Sequence, residues 1–300
     1  LEREEVYIRR GGSVMKGDRG AVLVTGAAAG IGKECALILD RSGFRVFAGI
    51  RNEKAADELR RLASELLFPV MLDITDGRQI AEAADTVAKE LGPDRGLFGL
   101  VNNAGIVMGG PLEFLPIDKL RRQMEVNVIG HMAVTQAFLP LIRMGHGRIV
   151  NIGTAGCHLP VPFLAAYQAS KIAIESLAVG LRRELSPWGI HVSIIEPGII
   201  ETGLWDKSYA ELDRIQAELP ARGKEFYTSS LGAGRRFIEN MRRKATVPAK
   251  SVAENVRQCL EARRPKTLYV VGKGARLPYL IAKFFPDRLA DWGVRKALGM

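Results

Sequence analysis

From residue 20 onward the chain alternates short apolar β-type runs with longer helical stretches, and this alternation limits its fold more than any other feature. The segments "AVLVTG" (21–26), "RVFAGI" (45–50), "FPVMLDI" (68–74), "LFGLVNNAG" (97–105), "GRIVNIG" (147–153), "HVSIIEPG" (191–198) and "TLYVVG" (267–272) read as seven strands. Helical segments lie between them, such as "GKECALILDRSG" (32–43), closed by Gly43, and "EKAADELRRLASEL" (53–66), rich in strong helix formers. A longer helix covers about 117–143, and another runs from Tyr167 to Ser186, where Pro187 and Gly189 stop it. Strands separated by helices pair in parallel through right-handed crossovers, which places helices on both faces of one sheet. The expected fold class is therefore α/β, a single doubly wound, parallel, seven-stranded sheet. Such sheets bind ligands beyond the carboxyl ends of their strands.

Residues 15–300 are expected to form one domain, since no internal repeat or low-complexity linker divides them. The irregular interval of about 203–250 would lie over the binding edge as a substrate lid. Residues 1–14, "LEREEVYIRRGGSV", read as a non-core extension before Met15; they are charged and lack the apolar core of a secretory signal. The chain is 47% hydrophobic and 25% charged, an ordinary globular balance with ample material for a core. Its net charge of +10 suits a phosphorylated ligand, an anionic lipid or nucleic acid, or simply a solvated basic surface. No helix–turn–helix or aromatic-interleaved basic stripe is present, so nucleic acid is not expected. Cys35, Cys157 and Cys259 are too few and scattered for a disulfide framework, and the four histidines show no metal-ligand spacing. No metal site is expected. No apolar run approaches the roughly 20 residues of a membrane span, and the expected compartment is the cytoplasm.

"TGAAAGIG" (25–32) follows the first strand and opens the first helix, as in a Rossmann-type dinucleotide site. Gly26, Gly30 and Gly32 allow a tight turn and close backbone approach to a pyrophosphate seated on the helix N-terminus, with Thr25 and Ile31 alongside. The end of the second strand selects the cofactor. An acid there would hold a ribose 2′-hydroxyl; here Gly49 and Ile50 are followed by Arg51, whose guanidinium suits a 2′-phosphate. NADP(H) is favoured over NAD(H). Asp73 and Ile74, ending the third strand, are placed for the adenine.

"TGAAAGIG", "NNAG" (102–105), Asn127 in "EVNVIG", "YQASK" (167–171) and "PGIIET" (197–202) occur in one order and spacing. In this the chain resembles the short-chain dehydrogenase/reductase superfamily over about residues 20–205. "FAGIRNE", "FLPLIR", "WGIHVSIIEPG" and "GKGARLPYLIAKFFP" are similar to its retinol, hydroxysteroid and D-3-hydroxybutyrate dehydrogenase subgroup. The resemblance implies an NAD(P)-dependent oxidoreductase whose catalytic residues are Asn127, Thr154, Tyr167 and Lys171. An ordinary tyrosine has a pKa of about 10, too high for an efficient base, and a lysine one helical turn away would favour its phenolate. Tyr167 would then exchange a proton with an alcohol or carbonyl while hydride passes to or from nicotinamide. Lys171 would also bind the nicotinamide ribose, and Asn127 would hold a relay water. Thr154 stands where the family usually has serine, keeping a hydroxyl donor but adding a methyl group. Asn102, Asn103, Ala104 and Gly105 would line the cofactor, as would Pro197 and Gly198, with Thr202 meeting the carboxamide. A homodimer or homotetramer through the helices near 117–143 and 167–186 is implied as well.

For the substrate, "CHLPVPF" (157–163) with His158 and Phe163, and lid residues Trp205, Tyr209, Phe226 and Tyr227, form a mostly apolar list. It suits a lipophilic alcohol or ketone, steroid- or retinoid-like. Lys207, Arg222 or Lys224 would serve a short hydroxy acid in an NAD-dependent 3-hydroxybutyrate-type enzyme. A dinucleotide-binding sensor without turnover is the third reading. The C-terminal segment, about 276–300, mixes Leu, Phe and Trp with Arg and Lys; it suits packing over the active site or on a neighbouring subunit, with peripheral membrane contact as the alternative.

Overall fold

A computed structural model describes residues 19–201, 204–244 and 247–298. The first half alternates β1 (Ala21–Val24), α1 (Gly30–Arg41), β2 (Arg45–Ile50), α2 (Glu53–Leu62), β3 (Leu67–Met71), α3 (Gly77–Leu91) and β4 (Leu97–Asn102). There follow α4 (Ile117–Met124), a π-helical turn (Glu125–Ile129), α5 (Gly130–Met144), β5 (Arg148–Ile152), a 3₁₀ turn (Ala155–His158), α6 (Ala165–Leu185) and β6 (His191–Pro197). The remainder comprises β7 (Ile200–Glu201), α7 (Leu204–Glu218), α8 (Ala221–Lys244), β8 (Val247–Pro248), α9 (Ala249–Glu261), β9 (Leu268–Val271), α10 (Leu277–Phe284) and α11 (Asp287–Leu298).

The seven strands form one sheet in the order β3-β2-β1-β4-β5-β6-β9, and every pairing is parallel. The order reverses between β1 and β4, which leaves a crevice at their carboxyl ends where a ligand can enter. Both faces are covered, so the strands read as near-continuous apolar runs. On one face Val22, Val24, Val46 and Ala48 pack with Cys35 and Leu39 of α1 and with Val252 and Val256 of α9. On the other, Leu23, Leu100 and Ile149 meet Ile80 and Val87 of α3, Val134 and Phe138 of α5, and Ala178 of α6.

Two regions depart from the sequence reading. The third strand ends at Met71, so Asp73 and Ile74 lie in a turn. The Asp73 carboxylate accepts from the Thr75 N–H (2.9 Å) and hydroxyl (2.8 Å), and this local turn outcompetes the ladder. The irregular interval after β6 is largely helical. Leu212 and Ile215 of α7, Leu219 just past its end and Leu231 of α8 bury themselves against Phe163. Gly232 and Gly234 weaken the helical signal of α8, yet Gly234 lets it approach closely, since a Cβ there would lie 3.3 Å from the Phe163 ring. A short parallel pairing of β7 with β8 joins the two ends of this helical interval.

Candidate active site

The carboxyl ends of β1 and β4 are clipped together by Thr25. Its N–H donates to the Val101 carbonyl (3.0 Å), and its hydroxyl oxygen accepts from the N–H groups of Asn103 (2.9 Å) and Ala104 (3.1 Å). The Asn103 amide donates back to the carbonyls of Thr25 (2.9 Å) and Gly26 (3.3 Å). The glycine turn and the "NNAG" segment are thus one rigid edge. Gly26 and Gly30 take φ of +66° and +57°. At Gly32 a Cβ would stand 2.3 Å from the Gly26 carbonyl oxygen and 2.4 Å from the Asn103 amide, so only glycine fits. Ala29 gives α1 no side-chain cap, and its first-turn N–H groups are left for an incoming anion. This cradle fits a dinucleotide pyrophosphate, with Ile31 half-buried beside it.

Arg51 follows β2 in an exposed position, with Asn52 capping α2 through the Ala55 N–H. Desolvation raises the Asp73 carboxyl, but the Thr75 hydrogen bonds and the charges of Arg51 and Arg122 together hold it below its ordinary value. Arg51 and Arg122 thus lend positive charge to the surroundings of Asp73.

Beyond β4 and β5, the π-helical turn projects Asn127 into the interior. Its Oδ1 accepts from the Ile106 N–H (2.9 Å), while its amide donates to the Ile106 carbonyl (2.9 Å) and to Ser170 Oγ (3.0 Å). Ser170 donates onward to the Tyr167 main-chain carbonyl (2.6 Å). Gly105 closes in tightly here, since a Cβ would lie 3.3 Å from Asn127 Oδ1 and 3.8 Å from Lys171 Nζ. Lys171 donates to the Ile152 carbonyl (2.9 Å), and its Nζ stands 5.9 Å from the centre of the Tyr167 ring. Desolvation pulls Lys171 down to about 8, against the opposing influence of Cys157. The Tyr167 phenol is instead pushed up, first by desolvation and then by Cys157. The sequence reading expected Lys171 to favour the phenolate; here its ammonium is aimed at a carbonyl, and burial dominates the phenol.

Thr154 is half-buried between β5 and the 3₁₀ turn, with its hydroxyl 3.5 Å from the Pro197 carbonyl oxygen, a weak contact that leaves the group free to turn to a ligand. Gly198 is tied by its N–H to the Val271 carbonyl (2.9 Å). Thr202 lies outside the described residues, as does the side chain of Trp205. His158 turns from the crevice to Glu196, and Tyr209 sits by Arg235 and Arg242. Phe163 does line an apolar cavity, with Val107, Pro162, Leu212, Ile215 and Phe237. It does so at φ +71°, a strained conformation for so large a residue, and its carbonyl accepts from the Gly110 N–H (2.8 Å).

Comparison with known proteins identifies this arrangement. The family model for short chain dehydrogenase matches residues 20–213. The chain belongs to that family. It is 38% identical to human 17-beta-hydroxysteroid dehydrogenase type 2 over 293 residues, which cover 94% of this chain and 74% of that protein. Mouse retinol dehydrogenase 5 is 35% identical over 278 residues, covering 90% and 86% respectively. Among solved structures, a short chain dehydrogenase from Burkholderia cenocepacia in complex with NADP superposes with a TM-score of 0.69 at 24% identity, covering 93% of this chain and 98% of that one. One from Burkholderia phymatum in complex with NAD gives 0.72 at 25% identity, covering 89% and 93%. The chain is thus an NAD(P)-dependent oxidoreductase.

Several site residues escape a reading of the sequence. Gln168 bonds the Val161 N–H (2.9 Å) and the Gly156 carbonyl (2.6 Å), fixing the crevice wall. Gln123 grips Met108 N–H (2.7 Å) and the Ile106 carbonyl (2.8 Å). Buried His131 lies with Nε2 2.5 Å from the Ala104 carbonyl oxygen, and its Nδ1 has no partner. Only adjacency to the "YQASK" and "EVNVIG" segments could have pointed to them. Desolvation lowers His131 to about 4, helped by the Lys171 charge.

That value carries a sign. Between the ordinary histidine pKa and about 4, the unfolded chain takes up a proton that the fold refuses, so His131 costs stability as pH falls through this window. Urea unfolding should therefore show about 2 kcal/mol more loss between pH 7 and pH 5 in the native protein than in His131→Gln. Equal losses in the two proteins would contradict the burial of a neutral His131.

Proposed function

We propose that the chain transfers hydride between NADP(H) and a lipophilic secondary alcohol or its ketone, steroid- or retinoid-like, with Tyr167 as proton donor and acceptor. The observation that supports this reading is the approach of Lys171 to the Tyr167 ring and the chain of hydrogen bonds from Asn127 through Ser170 to the Tyr167 main chain, with an apolar cavity lined by Phe163 and Leu164 on the segment that leads into α6. The nicotinamide, when bound, supplies or accepts the hydride. In the reductive direction the Tyr167 hydroxyl gives its proton to the substrate oxygen, and in oxidation it recovers one. Desolvation keeps the phenol protonated, which suits the donor role. Lys171, a charged ammonium at neutral pH whose hold on its proton burial has weakened to about 8, is poised to restore that proton. Asn127 has spent its side chain on Ile106 and Ser170, so it acts as a positioning residue. The Thr154 hydroxyl is available to steady the substrate oxygen.

The substrate reading rests on the cavity and on the relatives' names. Its lining carries Glu211 but no lysine or arginine among the described residues, which disfavours a short anionic hydroxy acid. Arg222, one candidate cation for such an acid, is exposed and stacks over Phe226 instead. A sensor without turnover would have no use for the Tyr167, Lys171 and Asn127 constellation. The C-terminal helices support lipophilic access too. Leu277, Leu280, Phe284, Phe285 and Trp292 are exposed among Arg276, Lys283, Arg295 and Lys296, a face suited to an anionic lipid surface. No helix among the described residues is long and apolar enough to cross a membrane.

Tyr167→Phe should lower kcat/KM for a 17β-hydroxysteroid by at least about 10²-fold while cofactor affinity changes little. Turnover near the native rate would remove Tyr167 from the chemistry. Arg51→Ala should weaken NADPH binding by about tenfold and leave NADH binding alone, the loss expected for one charge-assisted phosphate contact. An unchanged ratio would remove the 2′-phosphate role. The native protein should sediment with vesicles containing phosphatidylserine and not with neutral ones; no sedimentation with either would remove the lipid contact.

A further inference from the structure

Beside the catalytic crevice, three elements bring Cys157, His158, Glu175 and Glu196 to one point. Cys157 and His158 come from the 3₁₀ turn after β5, Glu175 from the second turn of α6 beyond Tyr167, and Glu196 from the end of β6. Their ligand atoms all lie within 4.8 Å of one another. His158 Nε2 stands 3.0 Å from Glu196 Oε1 and 3.7 Å from Glu175 Oε2. The group is largely shielded from solvent, with Cys157 1% exposed, Glu196 2%, the His158 side chain 11% and the Glu175 side chain 25%. Tyr279 of α10 closes it from outside, with its ring edge-on to the imidazole at 4.8 Å between centroids.

Two carboxylates and a thiol are gathered here, and within the set only His158 can carry positive charge. Burying acidic groups without adequate compensation is costly, and desolvation accordingly raises Glu196, against the relief from His158. Zinc takes sulfur at about 2.3 Å and nitrogen or oxygen at about 2.0–2.2 Å in a tetrahedron, which puts neighbouring ligand atoms about 3.3–3.7 Å apart. The two imidazole–carboxylate separations, 3.0 Å and 3.7 Å, lie near that range, and no pair in the set exceeds 4.8 Å. The mixture of one thiolate, one imidazole and two carboxylates suits a borderline metal such as zinc over magnesium or calcium. All four positions are filled from the protein, the pattern of a structural site that lacks an open position for substrate.

We propose that Cys157, His158, Glu175 and Glu196 form a binding site for a zinc-like divalent cation. An ion held there ties the wall between Thr154 and Tyr167 to α6 and to β6, stiffening the crevice without entering the reaction. Spacing along the chain conceals the set, because Glu175 and Glu196 are far in sequence from Cys157 and His158.

The test uses the full chain freed of metal with chelator, titrated with zinc chloride and separately with cadmium chloride. The expected result is one equivalent bound per chain. Cadmium should produce thiolate charge-transfer absorption in the ultraviolet, and a hundredfold excess of zinc over its Kd should raise Tm by about 4 °C or more. Cys157→Ser should abolish the absorption, and His158→Gln or Glu175→Gln should weaken zinc binding at least tenfold. His191→Gln, altering an exposed histidine, should change neither; circular dichroism verifies that each variant folds. No stoichiometric binding, or binding unaffected by both Cys157→Ser and His158→Gln, would overturn the proposal and leave the cluster as an ion pair bridged by His158.

Discussion

The crevice depends on a buried cation. Lys171 is only 4% exposed, and its ammonium is held by the Ile152 carbonyl at 2.9 Å. A buried lysine costs several kcal/mol unless its surroundings compensate, so everything near it is constrained. Desolvation, with the Lys171 charge adding to it, keeps His131 neutral, and that neutral ring then reaches the Ala104 carbonyl. The same carbonyl belongs to the "NNAG" edge that Thr25 clips to the glycine turn. One charge thus links the catalytic helix to the cofactor cradle.

The sheet makes this possible by ending β1, β4, β5 and β6 at one level, so that short loops meet over the order reversal. The π-helical turn then presents Asn127 to the main chain of Ile106, in the loop after β4, and to Ser170. Such turns concentrate at functional sites because they displace the regular bonding of a helix at one point. Above this rigid floor the walls are of a different kind. Phe163, with its positive φ, and the glycine-bearing α8 enclose an apolar space by packing alone. A floor of hydrogen bonds with apolar walls is a sensible division for the proposed reaction, in which a polar cofactor meets a lipophilic substrate.

The strands, the glycine turn and the Tyr167–Lys171 spacing are visible in the sequence because each follows from a local rule: alternation, φ freedom, or helical periodicity. The helices α7 and α8 are harder to see, since Gly232 and Gly234 serve contact with Phe163 at the expense of propensity. Asp73 likewise reads as strand, while the geometry that Thr75 imposes is a turn. Gln123, Gln168 and His131 look like ordinary polar helix residues, and only tertiary contact shows what they hold. His158 reads as a pocket residue because it is close in sequence to Thr154, yet the 3₁₀ turn directs it to Glu196. Thr202 and the Trp205 side chain lie outside the described residues.

The most direct measurement supplies the protein with NADP⁺ and a 17β-hydroxysteroid deuterated at its carbinol carbon, then weighs the reduced cofactor by mass spectrometry. Direct hydride transfer predicts that the reduced cofactor carries the deuterium and that the steroid leaves as its ketone. Reduced cofactor without deuterium, or none formed while the cofactor binds, would contradict the account.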